Sequence, residues 1–308
     1  MKPFFFLLFA LSSCLVSAFA ADGEHWSAAA ENLPKKSESF SAEVKRLPAA
    51  AKPLSTDAKY LSADAIQLIP APASYVKTRG ALKMNGALRL VTNVKGKDRQ
   101  WLCQQWTAAF PALTFDKGAE RVLRIQLTET NQTKSEEGYQ LRITPRAIHI
   151  EATTMTGVFY ALQTLRQLEA QGSVACCEIT DAPQYPYRGL MLDCSRHFWT
   201  KEFILKQLDA MAYLKMNRLH LHLTDDAGWR MEIKQYPALT EKTAWRVGAN
   251  WAEWREQGQR YAHQDDKGAS GGYYTQQDLR EIVAYAAARH ITVVPEIEVP
   301  GHSAEVLY

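Results

Sequence analysis

From Tyr187 onward, three short apolar runs each stop at a cluster of ionisable or turn-forming residues, with helix-period segments between them. The first run is Gly189-Leu190-Met191-Leu192-Asp193. The second, Arg218-Leu219-His220-Leu221-His222-Leu223, ends in Thr224-Asp225-Asp226. The third spans Ile291 to Ile297 and ends in Glu298-Val299-Pro300-Gly301-His302. A helix predicted to start near Thr200 carries Ile204, Leu205, Leu208, Met211 and Ala212 on one stripe. A long polar stretch from Tyr236 to Ser270, with Trp245, Trp251 and Trp254, separates the second and third runs. Near its end Thr275-x-x-Asp278 resembles a capping box, with Asp where Glu or Gln is usual. It opens a helix with Leu279, Ile282, Val283 and Ala286 inward.

Strand-helix-strand units with polar residues just after each strand are the pattern of a (β/α)8 barrel, whose chemistry sits at strand C-termini. Such a barrel takes roughly 250 residues, whereas 122 run from Tyr187 to Tyr308. The expected fold class is therefore α/β, an incomplete (β/α)8 TIM barrel over 187–308. Residues 66–183 read differently. Leu88-Arg89-Leu90-Val91, Leu123 to Leu127, Tyr139 to Ile143 and Ala147 to Ala152 have strand character. A helix then fits Met155 to Ala170, with Val158, Ala161, Leu162, Leu165 and Leu168 on its stripe. Strands followed by a helix on one face predict a small α+β domain ahead of the barrel.

The N-terminus reads as a targeting segment. Lys2 precedes the apolar run Phe4 to Ala10, too short to span a bilayer, and Ala18-Phe19-Ala20 is an A-x-A cleavage site. Residues 1–20 are thus expected to be a signal peptide and 21–65, rich in Ala, Ser, Lys and Pro, a leader or linker. Leu11-Ser12-Ser13-Cys14 also resembles a bacterial lipobox, which would put a lipid anchor on Cys14. Either route exports the protein, leaving it periplasmic, outer-membrane-associated or secreted. Cleavage leaves Cys103, Cys176, Cys177 and Cys194, and no spacing among them suggests zinc. With 36 Lys+Arg against 33 Asp+Glu, the net charge of +3 and the lack of a long basic run exclude an electrostatic argument for nucleic acid.

Four groups could carry chemistry. Asp193 to His197 contains Arg196, whose rigid donor fork suits vicinal hydroxyls or carboxylates as well as a surface salt bridge. His220 and His222 share a strand face, which fits a metal-dependent hydrolase or, more commonly, two hydrogen-bonded core histidines. Glu296 and Glu298 point to one side, and Pro300-Gly301 can present His302; paired carboxylates invite a glycosidase reading. Gly271-Gly272-Tyr273-Tyr274 is most simply a loop before a helix.

Together, Arg188 to Phe198, Asn217 to Arg230, Gly271 to Thr275 and Pro295 to His302 resemble glycoside hydrolase family 20, the β-N-acetylhexosaminidases. Residues 66–183 resemble the small α+β domain that precedes the barrel in that family. The resemblance implies exo-hydrolysis of terminal β-linked N-acetylglucosamine or N-acetylgalactosamine with retention, by substrate-assisted catalysis, and no metal or organic cofactor. It implies that Arg196 binds sugar hydroxyls and that Asp225, preferred over Asp226, and His302 form a relay to an acid glutamate. Glu298 stands where the family usually has aspartate, a substrate-binding position carrying one extra methylene. The family's His-x-Gly-Gly-Asp-Glu type motif does not occur before Tyr308. These 308 residues alone are therefore expected to have negligible hydrolase activity, and a truncated, non-catalytic carbohydrate-binding relative is the alternative.

Overall fold

The computed structural model describes residues 68–308. The expected signal peptide, leader and Cys14 lie outside the described residues.

The described chain divides into two units, one holding residues up to Pro186 together with Tyr213–Lys215, the other the remainder from Tyr187. The first unit contains β1 (Ser74–Lys83), β2 (Gly86–Thr92), α1 (Gly96–Ala109), β3 (Leu113–Phe115), β4 (Val122–Leu127), β5 (Tyr139–Thr144), β6 (Ala147–Ala152), α2 (Met155–Leu168) and β7 (Ser173–Asp181). Its sheet runs β1-β7-β5-β6-β4-β2-β3. Pairing is antiparallel among β1, β7, β5 and β6, and parallel among β6, β4, β2 and β3. Leu123, Ile125, Leu141, Ile143, Ile148 and Ile150 alternate with exposed or half-buried neighbours and are almost fully buried. That period of two is what a sheet with one covered face requires. Helix α2 is buried along Gly157–Leu165, and its Thr154 cap accepts from the Gly157 N–H.

Two corrections apply here. Residues 96–109, read within a stretch of strands and turns, form helix α1, which buries only Leu102 and Trp106. The expected four strands are seven, because β1, β3 and β7 lack a clean alternation.

The second unit contains β8 (Gly189–Asp193), α3 (Lys201–Tyr213, its last residue counted with the first unit), β9 (Arg218–His222), β10 (Thr224–Asp225), β11 (Gly228–Trp229), α4 (Ala238–Thr243), β12 (Trp245–Val247), α5 (Trp251–Glu256), β13 (Ala269–Gly271), α6 (Gln276–Ala287), β14 (Thr292–Glu296) and α7 (Ala304–Leu307). Strands β8 and β14 flank β9 in parallel. Helix α3 buries Ile204, Leu208, Met211 and Ala212, with Leu205 half-buried; α6 buries Leu279, Ile282 and Ala286. The Thr275–Asp278 capping box forms in full, Asp serving in place of Glu. The polar stretch over 236–270 is corrected as well: it folds into α4, β12, α5 and β13, with β12 and β13 pairing antiparallel. Thus the second unit is an α/β arrangement whose parallel strands all end on the same side.

Candidate active site

Strand register creates the site. Asp193, His222 and Glu296 stand side by side as the last residues of β8, β9 and β14. Neighbours in one row leave the same face of a sheet, and His220, two residues before His222, shares it. Leu219 and Leu221 leave the other face and are fully buried.

The chain after β9 does not simply run into a loop. It forms the β10–β11 hairpin, Thr224 and Asp225 pairing with Trp229 and Gly228. This sharp reversal separates two adjacent aspartates: Asp225 is completely buried, while Asp226 stays partly exposed. Asp225 Oδ2 lies 2.5 Å from an Arg196 guanidinium nitrogen and 3.1 Å from His222 Nε2. Its Oδ1 accepts from the Asp226 N–H at 2.8 Å and lies 3.5 Å from His302 Nδ1. Asp226 accepts from the Ala304 N–H at 3.1 Å, and its Oδ2 lies 3.7 Å from the same His302 nitrogen.

Arg196 is fixed at both ends. Its N–H donates to Asp193 Oδ1 at 2.9 Å, and its guanidinium donates to Asp193 Oδ2 at 2.8 Å. The Trp251 ring centroid is 5.7 Å from the guanidinium carbon, within cation–π range. Arg196 Nε is buried without a hydrogen-bond partner among the described residues. Two further arginines hold the backbone beneath it. Arg246 donates to the Arg196 carbonyl at 2.6 Å. Arg230, wholly buried, donates to the carbonyls of Cys194 (3.0 Å), Ser195 (2.6 Å), Gly272 (3.1 Å) and Ala244.

His222 sits between two carboxylates. Its Nδ1 is 2.9 Å from Glu296 Oε2, and His220 Nε2 reaches the same oxygen at 2.7 Å. Burial opposes a charge on His222, but the hydrogen bonds to Glu296 and Asp225 outweigh it and raise its pKa above the ordinary histidine value. Glu296 moves the other way: burial would raise it, and the His222 hydrogen bond prevails and lowers it. The Glu298 N–H donates to Thr224 Oγ1 at 2.9 Å, tying the loop after β14 to the hairpin. His302 is half-exposed and adopts a left-handed backbone, φ +51°, which costs a side-chain-bearing residue roughly 1–2 kcal/mol.

Of the sequence-predicted residues, Arg196, Asp225 and His302 meet around one carboxylate. Glu298 lies on the other flank, its carboxylate near His222 and Glu296. That trio, and Asp225 with Asp226 and His302, bring metal-ligating atoms within 4.8 Å of one another. Glu296 Oε2 already receives two imidazoles, and Asp225 Oδ2 a guanidinium. Neither is assigned as a metal centre.

Comparison with known proteins gives the family. The glycosyl hydrolase family 20 catalytic-domain pattern matches residues 185–308, and the pattern of that family's domain 2 matches 65–182. The chain belongs to glycoside hydrolase family 20. It is 38% identical over 248 residues to a β-hexosaminidase of Vibrio furnissii, covering 78% of this chain and 39% of that protein. It is 45% identical over 183 residues to a β-hexosaminidase of Porphyromonas gingivalis, covering 56% and 22%. Among solved structures, the Streptomyces plicatus N-acetyl-β-hexosaminidase complexed with Thio-NAglucal superposes with a TM-score of 0.65 at 30% identity, over 79% of this chain and 48% of that one. The Vibrio harveyi exo β-N-acetylglucosaminidase complexed with N-acetylglucosamine gives 0.64 at 30% identity, over 78% and 37%. The chain therefore spans less than half the length of these family members.

Sequence reasoning missed two arginines that hold the backbone beneath Arg196 and a buried glutamate after His302. Arg230 was read only as part of a motif. Arg246 fell in the polar stretch, and Glu305 lay beyond the last motif. Arg230 has Asp226 and Glu232 close by in the chain, so no local charge pattern marks it for burial.

Proposed function

We propose that the whole protein is a retaining, exo-acting β-N-acetylhexosaminidase, removing terminal β-linked N-acetylglucosamine or N-acetylgalactosamine from glycans or glycoconjugates. The observation that carries this reading is the buried Asp225 carboxylate between Arg196 and His302, 2.5 and 3.5 Å away. In the proposed reaction the acetamido oxygen of the substrate attacks the anomeric carbon as the glycosidic bond breaks. A glutamate protonates the departing oxygen, later taking a proton from the water that opens the oxazolinium intermediate. Arg196 holds sugar hydroxyls. Asp225 and His302 act through that glutamate, placing it and its proton, and Glu298 lines the sugar subsite.

In the same reading β8, β9 and β14 are the first strands of a (β/α)8 barrel over 187–308. Their common direction, the intervening helices and the polar row at their C-terminal ends support that assignment. Residues 66–183 are then the family's preceding domain. The N-terminal targeting pattern supports an exported protein.

The test compares full-length protein on aryl N-acetyl-β-glucosaminide and on the matching aryl β-glucoside. Turnover confined to the N-acetyl substrate, with retained anomeric configuration, is expected. Arg196→Ala should lower kcat/KM roughly a hundredfold, equivalent to about 3 kcal/mol of lost charged hydrogen bonding. Equal turnover of the glucoside would sink the substrate-assisted scheme. Sugar binding without any turnover would point to a non-catalytic relative.

A further inference from the structure

Resting on the reading just given, we propose that His222 is a positioning residue, held as an imidazolium between Asp225 and Glu296, which keeps the Asp225 carboxylate charged and aimed at His302. The argument starts from hydrogen-bond capacity. A neutral imidazole offers one N–H and one lone pair, whereas an imidazolium offers two N–H donors. His222 presents both ring nitrogens to carboxylate oxygens, Nδ1 to Glu296 at 2.9 Å and Nε2 to Asp225 at 3.1 Å. A neutral ring would set a lone pair against one of those oxygens inside a buried site, where unpaired polar atoms are costly. The doubly protonated ring satisfies both.

Every charged group facing His222 has a place in this scheme. Glu296 comes from β14, and Asp225 from the hairpin. Asp193, in register on β8, adds negative charge without a direct contact. Glu298 stands nearby on the loop after β14. Arg196 spans Asp193 and Asp225, and His220 shares the Glu296 oxygen. Without the His222 proton, Asp225 would keep Arg196 alone as a cation in contact with Oδ2, and the Asp226 N–H would be left to hold Oδ1 toward His302. Burial of the carboxylate makes that second cation matter more than it would on a surface.

The experiment uses full-length protein labelled with 15N at histidine, with His222 assigned by comparison with His222→Gln. Nitrogen shifts are followed from pH 5 to 9 in the native protein and in Glu296→Gln. A ring carrying two protonated nitrogens at pH 7, with its midpoint above the ordinary value of about 6.5, is expected for the native protein. In Glu296→Gln that midpoint should fall. Hydrolysis gives the second readout. His222→Gln should lower kcat about tenfold or more with KM changed less than threefold, and should alter the pH dependence of kcat, as expected for an interaction used in the transition state. A neutral His222 at pH 7 in the native protein would overturn the proposal, as would an unchanged kcat and pH profile in a folded His222→Gln. If native protein shows the imidazolium yet hydrolyses no N-acetyl-β-glucosaminide, the functional reading fails while the charge assignment stands.

Discussion

Glu305 is 2% exposed, and both its carboxylate oxygens are buried without a hydrogen-bond partner among the described residues. Burial, reinforced by Asp226 and Asp225, pushes its pKa up to about 7. An unfolded glutamate titrates near 4.3, so between those values the native state binds more protons than the unfolded chain. Stability from this residue is therefore lost as pH rises from about 4 to about 7 and stays low above that. The full shift corresponds to roughly 4 kcal/mol as an upper bound. Urea unfolding at pH 5 and pH 8 should show Glu305→Gln gaining on the native protein by up to that amount at pH 8 relative to pH 5. A constant gap between the two proteins would refute it. His222 contributes in the same direction by another route. Its raised pKa supplies stability below about 6.5, which is lost as pH rises through the higher folded value. Neither effect was legible in the linear chain, because both depend on which carboxylates the fold sets beside one buried group.

The elements divide by how much of their burial repeats along the chain. Helices α3 and α6 were readable because their buried residues recur every three or four positions. Helix α1 was not, since only Leu102 and Trp106 are buried over fourteen residues. Strands β12 and β13 have three residues each and pair across an intervening helix, too short for any alternation to register. Helix α6 also displays a cap the sequence announced. Thr275 Oγ1 accepts from the Asp278 N–H at 3.0 Å, and Asp278 Oδ2 accepts from the Thr275 N–H at 3.0 Å. Lys201, at the start of α3, adds ion pairs to Asp278 and Glu281 at 2.7 Å. Thr275→Ala should cost about 1 kcal/mol, read as a lower urea midpoint, with Thr275→Ser recovering most of it. The glycine pair before this cap is stricter. Gly272 has φ +150°, and a Cβ there would run into the Phe198 ring. Gly272→Ala should therefore destabilise by several kcal/mol, in the range of core overpacking plus backbone strain, and thermal unfolding will measure it.

At the scale of the whole molecule, the folded second unit converges on Arg230. Its guanidinium binds carbonyls after β8, between α4 and β12, and after β13, segments up to 78 positions apart in the chain from Cys194 to Gly272. Burial and the neighbouring Arg246 pull its pKa down to about 10, leaving it charged at neutral pH. A lysine preserves that charge but not the planar fork. A lysine's three donors cannot serve the carbonyls of Cys194, Ser195, Gly272 and Ala227 together, while Ala244 keeps the Gly272 N–H, so Arg230→Lys should leave at least one buried carbonyl unpaired, a loss of roughly 1–3 kcal/mol. Chemical denaturation should show that loss. An unchanged midpoint would mean that water or another donor replaces the fork.

Periodicity and capping are local properties, and the amphipathic helices, the strands of the sheets and the Thr275 cap follow from residues within one or two turns of one another. The ordered motifs likewise placed the chain in its family before any coordinates. Choosing between Asp225 and Asp226 was another matter, since two adjacent aspartates are chemically alike. The β10–β11 hairpin buries one and exposes the other, and Arg196, His222 and His302 reach the buried one from separate segments. The His222–Glu296 contact arises the same way, from parallel strand register between residues 74 positions apart in the chain. Charge states in such a site depend on distances in space, and those exist only once the strands are paired.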